Sequence, residues 1–211
     1  MNIPDFSRVF QAGERLNPES DGIILTPFYV GELVLTSGKL VACDPLTLMG
    51  AEPFSVTFTP GRYPVILSIA HIQRNNDRRV AYAMLRLSDR TPVRWEMATL
   101  PDEDISSLKE GQIFGYGVDA GTGGFMDEEV LQIMDDSIYE GTYQESLTYK
   151  LLEALEKNYS TTWKWANMRV DESTEANVIA FSSGWGDGVY ATYFGYDAED
   201  NIVSVVTDFE V

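Results

Sequence analysis

An α+β fold is what this sequence predicts: a single domain over 1–211, mainly antiparallel sheet, sandwich- or barrel-like, covered by one long and one or two short helices. Three observations carry that expectation. Short runs alternate apolar and polar residues at period two, and brief polar turns join them. Only two stretches show convincing 3.6-residue periodicity. At 211 residues with 44% apolar content, the chain is long enough to bury a real core.

The elements follow in order. Phe6, Val9 and Phe10 stand at helical spacing in a short opening segment, and 13–22 is turn-rich. Strand signals at 32–36 and 39–43 flank Ser37-Gly38, which reads as a hairpin turn. Further strands at 54–59 and 63–73 flank Pro60-Gly61-Arg62. Strands at 79–88 and 92–98 come after Asn75-Asn76-Asp77 and Asp89-Arg90-Thr91. An acidic connection spans 101–110, where an internal subdivision would fall, and 113–118 reads as a strand entering a glycine turn. Asp127-Glu128-Glu129 opens a helix, its acids suiting the positive end of the helix dipole. Thr142-Tyr143-Gln144-Glu145 matches a capping box, and Leu147, Leu151, Leu152 and Leu155 place a helix over 143–158. Runs at 177–182, 189–196 and 202–209 read as a closing meander.

Charge separates the chain into halves. Residues 1–99 carry ten acids and ten basic residues, whereas 100–211 carry 23 acids against five, so the entire −18 sits in the C-terminal half. Such a field repels nucleic acid and anionic lipid and attracts cations or basic proteins. No apolar run is long enough for a membrane helix, and the first residues lack the pattern of a signal peptide. With one cysteine, Cys43, no internal disulfide forms, and a cytoplasmic location is expected.

Two glycine-aspartate segments hold the chemistry-bearing residues: 117–127 (GVDAGTGGFMD) and 184–190 (GWGDGVY). Asp119-Ala120-Gly121-Thr122-Gly123 resembles the first phosphate turn of the actin and sugar-kinase ATPases, but lies too late in too short a chain. As an EF-hand loop it lacks side-chain oxygens at Gly121 and Gly123. A calcium site combining Asp119 or Asp127 with Asp187 is one expectation. The structural alternative is that Asp119 bonds its own turn and Asp127 caps a helix. His71 is the single histidine, which rules out the usual zinc sites. Trp185, Tyr190, Tyr193, Phe194 and Tyr196 cluster after the second glycine turn, with Tyr190 and Phe194 on one strand face and Tyr193 on the other.

Five ordered blocks carry a resemblance: GELVLTSGKLVACDPL (31–46), PGRYPV (60–65), VRWEMA (93–98), GVDAGTGGFMD (117–127) and GWGDGVYATYFGYDAEDNIVSVVTDF (184–209). Together they resemble the bacterial domain-of-unknown-function family 4241, departing at Ala191, where a proline is expected. The resemblance implies a bacterial, soluble, single-domain protein and brings no catalytic residues. The favoured function is a non-catalytic binding protein whose acidic C-terminal half docks a basic protein, as an immunity factor would. Trp185, Asp187 and Tyr190 are its contact residues, and no cofactor is expected. The alternatives are a small metal-assisted hydrolase using Asp119, Asp127 and Asp187, and a structural or regulatory subunit.

Overall fold

The computed structural model describes residues 4–16 and 22–211. Part of the turn-rich stretch expected at 13–22, and residues 1–3 of the opening segment, lie outside the described residues. Strands are numbered in chain order. A seven-stranded sheet runs β1 (Arg15–Leu16), β2 (Ile23–Leu35), β5 (Gly61–Ile72), β6 (Asp77–Arg86), β14 (Ile202–Asp208), β13 (Thr192–Tyr196), β7 (Arg94–Met97). A five-stranded sheet runs β10 (Trp165–Arg169), β11 (Asn177–Ser182), β9 (Thr122–Asp127), β3 (Lys39–Cys43), β4 (Pro53–Thr57). A separate ribbon pairs β12 (Gly188–Tyr190) with β8 (Tyr116–Val118). Neighbouring strands are antiparallel throughout the described residues. The α+β expectation holds.

Period-two alternation sorts the side chains into layers. Leu33, Leu67, Leu85 and Val205 from the large sheet meet Leu40, Phe125 and Phe181 from the small one. Tyr190 and Phe194 join that layer while Tyr193 faces the other way, as their alternation predicts. Behind the small sheet lie α1 (Glu128–Tyr139) and α2 (Leu147–Lys157), whose Val130, Met134, Leu151 and Leu155 bury Val41, Met126 and Val178. Outside the large sheet, Phe6 and Val9 pack on Tyr82, Trp95 and Tyr193. Phe6 and Val9 are buried as their spacing suggests, but the segment turns instead of forming a helix. The core between the sheets draws on residues from both sides of 101–110, which therefore links parts of one core.

Several local readings change. Ser37-Gly38 makes no hairpin: β2 belongs to the large sheet and β3 to the small one, so the chain crosses between layers there. Gly38 takes φ +82, and a Cβ on it would lie 2.0 Å from the Phe58 carbonyl oxygen. Pro60-Gly61 is likewise a crossover, from β4 back to β5. The hairpin of β5 and β6 does form, with Asn76 at φ 56 in its turn. Strand β11 pairs within the small sheet, so only β13 and β14 of the expected meander are neighbours. The run 189–196 breaks at Ala191, the position where the resemblance expects proline. Helix α2 begins at Leu147, capped by Ser146 Oγ, while the Thr142/Glu145 box caps a single 3₁₀ turn at Tyr143–Glu145.

Asp208 closes β14 beside Tyr82 and Tyr193, and accepts the Glu210 N–H at 2.9 Å. Burial pushes its carboxyl up to about 6, against the lowering effect of the Glu210 N–H hydrogen bond. A folded pKa above the unfolded one means the native state holds the extra proton between about pH 4 and pH 6. Stability therefore falls as pH rises through that window, by about 1–3 kcal/mol. Asp208→Asn is expected to remove this loss, so that its melting temperature gains on wild type from pH 4 to pH 7. Parallel pH profiles of the two proteins would refute the assignment.

Candidate functional site

The two glycine-aspartate segments meet. Strands β8 and β12 pair through Val118–Gly188, Gly117–Val189 and Tyr116–Tyr190. That ribbon draws the loop 119–121 against the loop 183–187. The Gly121 N–H donates to Asp187 Oδ1 at 3.0 Å, and the Ser183 N–H donates to the Gly121 carbonyl at 3.1 Å. The two turns form one hydrogen-bonded knob.

What holds the first turn is Asp44, a residue that sequence reasoning passed over. Its side chain is 1% exposed. Oδ2 accepts the Asp119 and Ala120 N–H groups at 3.0 and 2.7 Å, and Oδ1 accepts the Leu46 N–H at 3.0 Å. A buried carboxylate taking three amide donors is a strong local anchor. The bond to Leu46, two residues on, is the Asx pattern that Asp44-Pro45 signals locally. Its reach to residue 119 has no local signal. Asp119 itself is exposed and makes no bond to its own turn amides among the described residues, contrary to the expected self-bonded turn.

The second turn is held by Tyr190. This side chain is 5% exposed, and its hydroxyl donates to the Gly186 carbonyl at 2.8 Å. Its ring lies edge-on to Phe209 at 5.0 Å. Tyr190 therefore supports the loop from beneath and is too buried to be the expected contact residue. Trp185 is the opposite case, at 57% exposed, and Val189 in the same segment is exposed too. The Arg79 guanidinium stacks 5.0 Å over the indole, and Arg79 is itself held by Asp77 at 2.8 Å. Asp187 is exposed and spends one oxygen on Gly121.

The three aspartates of the metal expectation are not brought together. Asp127 is fully buried and acts as the N-cap of α1, as its position before Glu128-Glu129 suggested. Oδ1 accepts Ser37 Oγ–H at 2.7 Å and Glu129 N–H at 3.0 Å; Oδ2 accepts Ser37 N–H at 3.0 Å and Gly38 N–H at 3.2 Å. Its acceptor capacity is spent on protein donors. Among the described residues, no group of three or more His, Cys, Asp and Glu is placed to hold a metal ion. Gly123 and Gly124, read as turn, lie in β9 at the centre of the small sheet. A Cβ on Gly123 would press the Tyr116 hydroxyl at 2.7 Å and the Phe209 ring at 3.0 Å, so the glycine makes room for core side chains. Cys43 is buried in the helix-covered face and burial pushes its thiol up, while His71 bonds Asn76 at 2.9 Å on the other sheet.

The helix layer carries part of the acidity of the C-terminal half. Residues 128–157 carry eight acids and two lysines. Tyr139 and Tyr143 stand exposed among them. Among the described residues, no helix is long and apolar enough to cross a membrane.

Neither the curated proteins nor the solved structures contain a match to this chain. The family model described as "Protein of unknown function (DUF4241)" matches residues 33–207. That span covers most of the chain and every residue of the knob, from Asp44 to Tyr190, and the protein belongs to the DUF4241 family.

Proposed function

We propose that the protein is a non-catalytic binding protein whose acidic C-terminal half docks a basic protein. The observation that carries the reading is the exposure of Trp185 on a loop whose backbone is fixed from both sides. A large aromatic held in one orientation loses little conformational entropy on contact, which is the character of an interface anchor. Exposed Val189, Asp119 and Asp187 belong to the same two paired segments and supply further apolar surface and carboxylate oxygens. The surplus of 18 negative charges supplies long-range attraction. A single-sign field raises association rates about 10- to 1000-fold, and salt abolishes the gain. Masking of a cationic toxin, an immunity-like role in the cytoplasm, is the finer form of the proposal.

The test is affinity capture from the source organism's lysate at low and high salt. A basic protein should be retained at low salt and released at high salt. Trp185→Ala should weaken that complex about 30-fold or more, the loss of a hot-spot residue. Capture that ignores both salt and Trp185→Ala would overturn the reading.

A further inference from the structure

A cavity of about 190 Å³ opens where the edge strand β4, the segment after β7 and the ribbon strand β8 come together. Its size suits one small organic group, since a dry cavity of about 150 Å³ accommodates benzene. Phe54, Leu100, Met49 and the Tyr116 ring form apolar walls. The acidic groups are Glu52 and Glu103, and none of the lining residues is Lys, Arg or His. Glu103 is held in place by accepting the Leu100 N–H on Oε2 at 2.8 Å, which leaves its other oxygen free of protein donors among the described residues. Glu52 is exposed and makes no ion pair or hydrogen bond among the described residues. Met49 stands 70% exposed at the same opening.

An apolar slot with two unneutralised carboxylates fits one ligand chemistry. An unbranched apolar stem fills the walls while a cationic head keeps to the acidic groups and water, the way lysine and arginine place themselves at surfaces. We propose that this cavity binds an ammonium or guanidinium group carried on such a stem. The source is either a lysine or arginine side chain of a docked protein, which would rest on the binding reading above, or a free alkyl amine, which would not.

Titration followed by protein NMR separates these. n-Pentylammonium should shift resonances of Leu100, Glu103 and Tyr116. It should bind about tenfold more tightly than 1-pentanol, because a hydrogen bond to an ionised partner is roughly twice as strong as a neutral one. Pentanoate should not bind. Glu52→Gln combined with Glu103→Gln should bring the amine down to the affinity of the alcohol; glutamine at 103 still accepts the Leu100 N–H, and an unchanged melting temperature confirms the fold. Blocked Gly-Lys-Gly binding more tightly than n-pentylammonium assigns the site to a protein side chain, and the reverse order assigns it to a free amine. Equal affinity for amine and alcohol, or no binding of any probe, would overturn the proposal. Trp185→Ala lies at the knob and should leave amine binding unchanged, so failure of the docking reading and failure of this one are told apart.

Discussion

Asp127→Ala is expected to lower the free energy of unfolding by about 3–5 kcal/mol, through four donors left without their acceptor. The carboxylate is fully buried and takes Ser37 N–H, Ser37 Oγ–H, Gly38 N–H and Glu129 N–H. Not all four pay the full penalty. Glu129 is exposed and Ser37 half-buried, so water replaces part of what they lose, while Gly38 is buried. Loss of the cap on α1 accounts for about 1 kcal/mol of the total. In a chain of this size the change corresponds to roughly 6–20 °C of melting temperature. Asp127→Asn keeps one accepting oxygen and should lose about half as much. Urea unfolding measures both; a midpoint unchanged by the alanine would mean that the crossover from β2 to β3 is held by packing alone.

The second large effect is expected for Phe209→Ala, at about 3–5 kcal/mol, as for other buried phenylalanines cut to alanine. Phe209 is fully buried and stands edge-on to Phe181 at 6.0 Å and to Tyr190 at 5.0 Å. Both glycine segments are built against it. A Cβ on Gly184 would meet the Phe209 carbonyl oxygen at 2.6 Å, and one on Gly123 would meet its ring. Removing the ring therefore empties the floor beneath Tyr190, which carries the Gly186 carbonyl. The cost should show in two readouts: a lower urea midpoint, and faster amide exchange at Gly121 and Gly186, whose N–H groups bond Asp187 and Ser183. Faster exchange spread evenly over the chain, with no excess at these two amides, would separate the knob from the core. Phe209→Leu should cost about 1.5 kcal/mol or less if the cavity is the cause.

Legibility in the sequence followed the range of the interaction. The β5–β6 hairpin was readable because Asn75-Asn76-Asp77 encodes its turn locally. The sorting of Tyr190 and Phe194 from Tyr193 was readable because period two needs no partner. Ser37-Gly38 and Pro60-Gly61 carry the same turn chemistry, yet each sends the chain to the other sheet. Local residues state that the chain turns, and distant ones decide what it pairs with. Strand β9 was hidden because Gly123 and Gly124 answer to Tyr116, Phe209 and Pro45, all supplied from elsewhere in the chain. The site divides the same way. Asp127 as a helix cap lies next to its helix and was legible, whereas Asp44 acts on amides 75 residues away. Exposure of Trp185 and burial of Tyr190, five residues apart, depended on which of them faced the inter-sheet core.

The position of β14 bears on how the chain folds during synthesis. It sits inside the large sheet, pairing Val205 with Leu85 of β6 on one side and with Phe194 of β13 on the other. A ribosome must pass residue 208 before β6, already paired with β5, gains its second neighbour. Until then the β2–β5–β6 part of the sheet presents an open edge at β6, the kind of surface on which nascent chains associate. Closure then awaits a contact spanning more than half the chain, and pairing of that range folds slowly. Residues 87–201 thus act as a built-in delay, and chaperone dependence in expression should follow the rate at which the ribosome crosses them.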